Sequence, residues 1–129
     1  MENSKPPSKK MLWAGWIISI LCILFFLVDA GMKIVKAAPA MQGSAELGWP
    51  ADLVPATGFI LLVFTILYAL PRTATAAAVL ITAYLGGATA IMMRAGTPGH
   101  PYFFPIVFGI AVWAGVYLRN AKLRAFVAG

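Results

Sequence analysis

Six side chains hold most of the polar chemistry open to this chain: Asp29, Lys33, Asp52, Tyr84, Arg94 and His100. Asp29 precedes Lys33 by four residues, a helical spacing that allows an ion pair and lowers the cost of holding either charge in apolar surroundings. Arg94 follows Ala83 by eleven residues, about three helical turns, and so continues a stripe of Ala83, Gly87 and Ala90. An arginine on that stripe is expected to point inward, where Asp29 or Asp52 would supply its carboxylate. Two readings stand side by side: a structural clasp with snorkelling to headgroups, or a ligand-binding cluster, since ionisable groups inside a membrane are functional candidates by default. The Tyr84 hydroxyl is expected to bond a backbone carbonyl or a threonine such as Thr82 or Thr57, or else a quinone carbonyl. His100 sits among Pro98, Gly99 and Pro101 and reads as a solvated turn residue.

Several chemistries are excluded by what these residues lack. A lone histidine has no companions for a metal or haem site. Cys22 is the single cysteine, which removes disulfides, CxxC redox pairs and cysteine-rich clusters and leaves an inert, lipid-buried thiol. With four acids and one histidine, no Ser/His/Asp set, HExxH or phosphate-binding glycine loop can be assembled. No residue is therefore assigned to catalysis, and a self-sufficient enzyme is not expected. Met92 and Met93 read as packing.

The elements that must position these residues are apolar runs at 11–28, 53–71, 73–93 and 95–118. About 20 helical residues cross hydrocarbon roughly 30 Å thick. At 129 residues, 61% hydrophobic and 11% charged, the chain cannot furnish the polar exterior of a soluble domain. The expectation is all-α: an integral membrane four-helix bundle over 11–118, with spans near 11–35, 53–71, 73–94 and 101–118 between basic cytoplasmic tails at 1–10 and 119–129.

Lys9 and Lys10 before an apolar run, with Ala38-Pro39-Ala40 beyond, imitate a cleaved signal. Asp29, Lys33 and Lys36 make the intervening stretch too charged for cleavage there, so the first span is expected to remain an anchor. Lys5, Lys9, Lys10, Arg72, Arg119, Lys122 and Arg124 fall on one side of four spans, against Lys33, Lys36 and Arg94 on the other. The positive-inside tendency then puts both termini in the cytoplasm. Trp13, Trp16, Tyr68, Trp113 and Tyr117 would ring the inner interface, with Trp49, Tyr102 and Phe103 at the outer one. The net charge of +6 lies at span ends, which favours membrane lipids over nucleic acid as partner, and the tail Tyr117 to Arg124 suits anchoring to acidic lipid.

Pro39, Gly43, Gly48 and Pro50 bar a single helix across 37–51, leaving an interfacial segment around Glu46 to Trp49. Pro71-Arg72-Thr73 forces the second and third spans to be adjacent and antiparallel. Ala76, Ala83, Gly87 and Ala90, with Gly86 beside them, mark the third span as the closely approached central helix. Pro105 either bends the fourth span or starts it.

In order along the chain, Phe26-Leu27-Val28-Asp29-Ala30-Gly31-Met32-Lys33, Pro71-Arg72-Thr73-Ala74, Tyr84-Leu85-Gly86-Gly87 through Arg94-x-Gly96-x-Pro98, and Trp113-Ala114-Gly115-Val116-Tyr117-Leu118-Arg119 with Leu123-Arg124 resemble the DoxX-like membrane proteins. The resemblance implies a compact four-helix protein of the bacterial inner membrane, and it implies little about activity, because fold does not carry reaction. It also implies a glutamate in the second span and a histidine shortly before the arginine; here Leu61 and Met92 stand in those places, which favours a binding or structural role. The leading expectation is a non-catalytic subunit or small hydrophobic-ligand binder, holding quinone or lipid beside a redox-enzyme partner. A small transporter or channel working as a homodimer, or a pure assembly protein, are the alternatives.

Overall fold

Hydrocarbon gives a backbone amide no hydrogen-bond partner, so a chain this apolar has to close its backbone bonds within helices. The structure, a computed structural model, describes residues 9–96 and 102–128. In chain order it has α1 (Lys9–Ile34), α2 (Ala38–Glu46), one 3-10 turn (Ala51–Leu53), α3 (Val54–Ala69), α4 (Ala74–Ala95), α5 (Phe103–Arg119) and α6 (Ala121–Ala128).

The stretches Lys9–Ile34, Ala51–Ala69 and Ala74–Ala95 are each long and apolar enough to cross a membrane. The 17 residues of α5 span about 25 Å. It would lengthen into a fourth full span with α6, but the two are bent by 106° where they meet. The protein is an all-α integral membrane bundle. Around it, α1 packs on α3 and α5, and α4 packs on the same two helices from the opposite corner.

Close backbone approach occurs on α1, which corrects the expectation of a central third span. A Cβ added to Gly58 of α3 would lie 2.8 Å from the Ala30 carbonyl oxygen of α1. One added to Gly115 of α5 would lie 2.6 Å from Ser19 Oγ, and one on Gly15 of α1 would lie 2.8 Å from the Arg119 nitrogen. By contrast Gly86 and Gly87 face open space, and Ala76, Ala83 and Ala90 are exposed. The face that α4 buries is the neighbouring one of Ala74, Ala77, Ala78, Ile81 and Leu85. Both faces of α4 are rich in small residues, and the one carrying Ile81 and Leu85 fills more core volume.

Inside, Phe26, Leu61, Tyr68, Ile81 and Val112 are fully buried, and on the outer surface the exposed Phe25 stacks on Phe108 with centroids 4.1 Å apart. Cys22 is buried among them, inside the protein rather than in lipid. Tyr68, expected at the interface, donates its proton to the Val112 carbonyl at 2.7 Å. Ser19, 3.3 Å away, is therefore left as the donor to Tyr68 Oη. One buried hydroxyl thus ties α1, α3 and α5 together.

The 37–51 stretch is broken as expected, with α2 ending at Glu46, where the expected interfacial segment begins. Pro39 sits in the first turn of α2, where its missing N–H costs nothing, and Gly48 turns the chain with φ 74°. Pro105 is in the first turn of α5, so it starts that helix without bending it. Arg119, assigned above to the tail, ends α5 inside the bundle.

Helix contact at a backbone oxygen leaves no side chain to move aside, and overpacking of this kind costs roughly 1–3 kcal/mol. A membrane-buried hydrogen bond averages about 0.6 kcal/mol. Gly58→Ala is expected to lower thermal stability in detergent more than Ser19→Ala does, while Gly86→Ala is neutral or mildly stabilising; circular-dichroism melts of the three variants would check the order.

Candidate functional site

The ion pair between Asp29 and Lys33 forms as the four-residue spacing allows, with Nζ 3.1 Å from Asp29 Oδ2. The Lys33 side chain is 19% exposed and that of Asp29 36%, which places the ammonium deeper than its partner. Lys33 also donates to Tyr84 Oη at 2.8 Å, reaching from α1 across the bundle to α4. That bond replaces the carbonyl or threonine expected for Tyr84. Thr82 instead accepts from Trp113 Nε1 at 2.6 Å, and Thr57 accepts from Trp49 Nε1 at 3.1 Å while donating to the Leu53 carbonyl.

Proton bookkeeping at this junction leaves donors to spare. An ammonium has three N–H groups, of which Asp29 and Tyr84 take two. Tyr84 Oη accepts from Lys33, so its own proton is left for a further acceptor, and none is assigned among the described residues. Both donors border a cavity of about 310 Å³.

This cavity lies between α3 and α4 under the segment that joins α1 to α3. Val54, Ile60, Ile91 and Met92 give it apolar walls, Ala83 and Gly87 give it width, and Leu47 and Trp49 roof it. The Trp49 to Thr57 bond fixes that roof to α3. Ile60, Ala83 and Gly87 are themselves exposed, so the cavity opens sideways between the two helices toward lipid. The small-residue stripe read as a packing seam thus serves as a cavity wall. Volume and lining, mostly apolar with a few convergent polar groups, match the lower end of small-molecule sites.

The remaining candidates lie apart from it. Arg94 is exposed at the end of α4 and makes a long 3.5 Å contact to the Leu47 carbonyl, which corrects its expected inward direction. Its position in the last turn explains this: Gly96, with φ 64°, ends the helix just beyond, and the side chain extends over the roof. Asp52 is exposed in the 3-10 turn. Among the described residues the ion pair seen is Asp29 with Lys33, and Arg94 joins no carboxylate. His100 lies outside the described residues.

Arg119, counted above as a basic residue at a span end and in the family-like run, has a contact set that its position does not announce. Its guanidinium lies 4.4 Å from the Trp16 ring centroid and 4.7 Å from that of Tyr68, and Nη2 donates to the Tyr68 carbonyl at 2.7 Å. The available signal was a tryptophan and an arginine at matching depth on α1 and α5, but helix adjacency was needed to connect them.

The sequence model for the DoxX-like family matches residues 17–115, which takes in α1 from Ile17, all of α2 to α4 and most of α5. No curated protein and no solved structure matches the chain.

If Lys33 is held by two partners, removing Asp29 alone leaves a half-satisfied ammonium in an apolar wall. Asp29→Asn is therefore expected to destabilise more than Asp29→Asn combined with Lys33→Met. A double-mutant cycle should give a coupling of about 0.5–1.5 kcal/mol; strict additivity would show that solvent, and not the pair, carries these charges.

Proposed function

The chain belongs to the DoxX-like family, and from that premise we propose that it binds a small hydrophobic molecule bearing a carbonyl at one end, a quinone in the first place and a lipid in the second. The single observation behind this reading is the cavity between α3 and α4, where the free Tyr84 proton and the third Lys33 N–H meet apolar walls. A quinone ring would lie between Ile60 and Met92, with a carbonyl oxygen accepting from Tyr84. Its apolar chain would leave through the side opening beside Gly87.

Lys33 strengthens that donor. By donating to Tyr84 Oη it polarises the phenolic O–H, and charge-assisted bonds of this kind are stronger than neutral ones. Asp29 holds the ammonium in place. Electron transfer itself belongs, in this reading, to a redox-enzyme partner in a bacterial inner membrane, for which the chain is a non-catalytic ligand-holding subunit. The bundle interior favours this over a pore within one copy, since Phe26, Leu61 and Ile81 fill the axis.

Native mass spectrometry of gently solubilised protein, followed by solvent extraction, tests the reading. One quinone per chain is expected. Gly87→Leu should abolish its retention, because Gly87 lines the cavity and a Cβ there meets no atom within 4 Å, leaving room for the larger side chain to occupy it. Tyr84→Phe should weaken binding about tenfold, the worth of one lost hydrogen bond. Equal retention by Gly87→Leu would sink the cavity assignment, and loss in Tyr84→Phe with unchanged retention of phospholipid would separate quinone from lipid.

A further inference from the structure

At the opposite end of the bundle a second, larger groove of about 870 Å³ lies beneath α6. Arg72, Arg119 and Lys122 border it, and its apolar part includes Val79, Trp113 and Phe126. This groove is separate from the Lys33 cavity and shares none of its lining residues.

Among the described residues no carboxylate pairs with these charges. The chain has four acids, Glu2, Asp29, Glu46 and Asp52. The three within the described residues all lie at or beyond the other end, in α1's last turns, α2 and the 3-10 turn. Arg119 is the most demanding cation of the set. It is half-buried and clamped between Trp16 and Tyr68, and of its five N–H groups one has an assigned acceptor, the Tyr68 carbonyl. Its Nε is buried with no hydrogen-bond partner. A guanidinium so placed calls for acceptor oxygens carrying negative charge.

The apolar surface beside it says what bears those oxygens. Leu123, Phe126 and Val127 form one face of α6 at helical spacing, and all three line the groove. Phe126 is 83% exposed and Val127 62%, an arrangement suited to the headgroup boundary. The bend that lays α6 across the groove is fixed at Asn120, whose Oδ1 accepts from the Leu123 amide at 3.1 Å and whose Nδ2 donates to Thr75 Oγ1 at 3.1 Å. Arg124 is occupied otherwise, donating to the Tyr117 and Leu118 carbonyls, which closes the end of α5.

We propose that this groove is a site for one anionic phospholipid, its phosphate held by Arg119, Arg72 and Lys122 and an acyl chain lying along Val79, Trp113 and Phe126. The occupant is an amphiphile because cations and apolar surface are continuous in the groove; free phosphate would use the first and leave the second wet.

The test uses the full chain in a neutral detergent, titrated separately with phosphatidylglycerol, phosphatidylcholine and inorganic phosphate, and read by native mass spectrometry and by melting temperature. Phosphatidylglycerol is expected to bind one to one and raise the melting temperature, with phosphatidylcholine at least tenfold weaker and phosphate without effect. Arg119→Gln removes a carbonyl contact as well and can unfold the end of α5, so the deciding variant is Arg72→Gln with Lys122→Gln, both exposed side chains. That double variant should melt as the parent does without lipid and bind phosphatidylglycerol at least tenfold more weakly, about the loss of two surface cations near a lipid headgroup. Equal binding of the two lipids, unchanged affinity in the double variant, or stabilisation by phosphate equal to that by lipid would each overturn the proposal.

Discussion

Gly58 and Gly115 bring α3 and α5 so close to α1 that no additional methyl group fits between the helices, and the bond from Ser19 to Tyr68 and on to the Val112 carbonyl depends on that approach. Lipid offers helices no hydrophobic reason to associate, so backbone proximity and the few polar bonds it permits must hold them. Once α1 has taken both close contacts, α4 completes the bundle by side-chain packing through Ile81 and Leu85. Its other face is then left exposed among the described residues at Ala76, Ala83, Gly87 and Ala90. The cavity beside Gly87 follows directly: residues small enough for a helix seam, on a helix that no partner approaches there, leave empty space.

The two ends of the bundle solve different electrostatic problems. At the Lys33 end an ammonium has a carboxylate four residues away and a phenol across the bundle, so its charge is answered inside the protein. At the Arg119 end the guanidinium is answered by two aromatic faces and one carbonyl, which stabilise a cation without neutralising it. A cation satisfied only in part at a membrane boundary remains attractive to anionic headgroups. In the proposed readings the first end presents donors to a neutral acceptor and the second receives an anion.

Much of this was legible in the residue pattern, and the failures have identifiable causes. Span length and apolarity are local properties, so the helices fall near their expected places, and the turn at Pro71-Arg72-Thr73 fixes α3 against α4. The Asp29 and Lys33 pair was legible for the same reason, since both residues ride on one helix. The contacts of Tyr84 and Arg94 are not legible in the same way, because their partners depend on which helices lie opposite, and a stripe of small residues does not say whether a helix or a cavity faces it. Arg94 shows a further limit: eleven residues place it on the stripe, but at a helix end a long side chain leaves the line of the helix. Tyr68 was assigned to an interface from its chain position alone, and only the proximity of Ser19 and Val112 turns it into a core residue.

Leu61 and Met92 stand where the resemblance implies a glutamate and a histidine, and their surroundings differ. Leu61 is fully buried among Phe26, Tyr68 and Ile81, so an ionised side chain there would need a partner the core does not contain. Met92 borders the cavity with Lys33 and Tyr84, where an imidazole would stand beside the proposed ligand. Methionine at that place makes the wall deformable and apolar, without the group that an imidazole would bring to exchange protons near neutral pH. What remains is a pair of hydrogen-bond donors, Tyr84 and Lys33, the second of them paired with Asp29. Such a pair can hold and orient a carbonyl, but it lacks a base with a proton affinity matched to turnover. In the proposed reading the cavity holds and orients its ligand, and chemistry on that ligand falls to a partner.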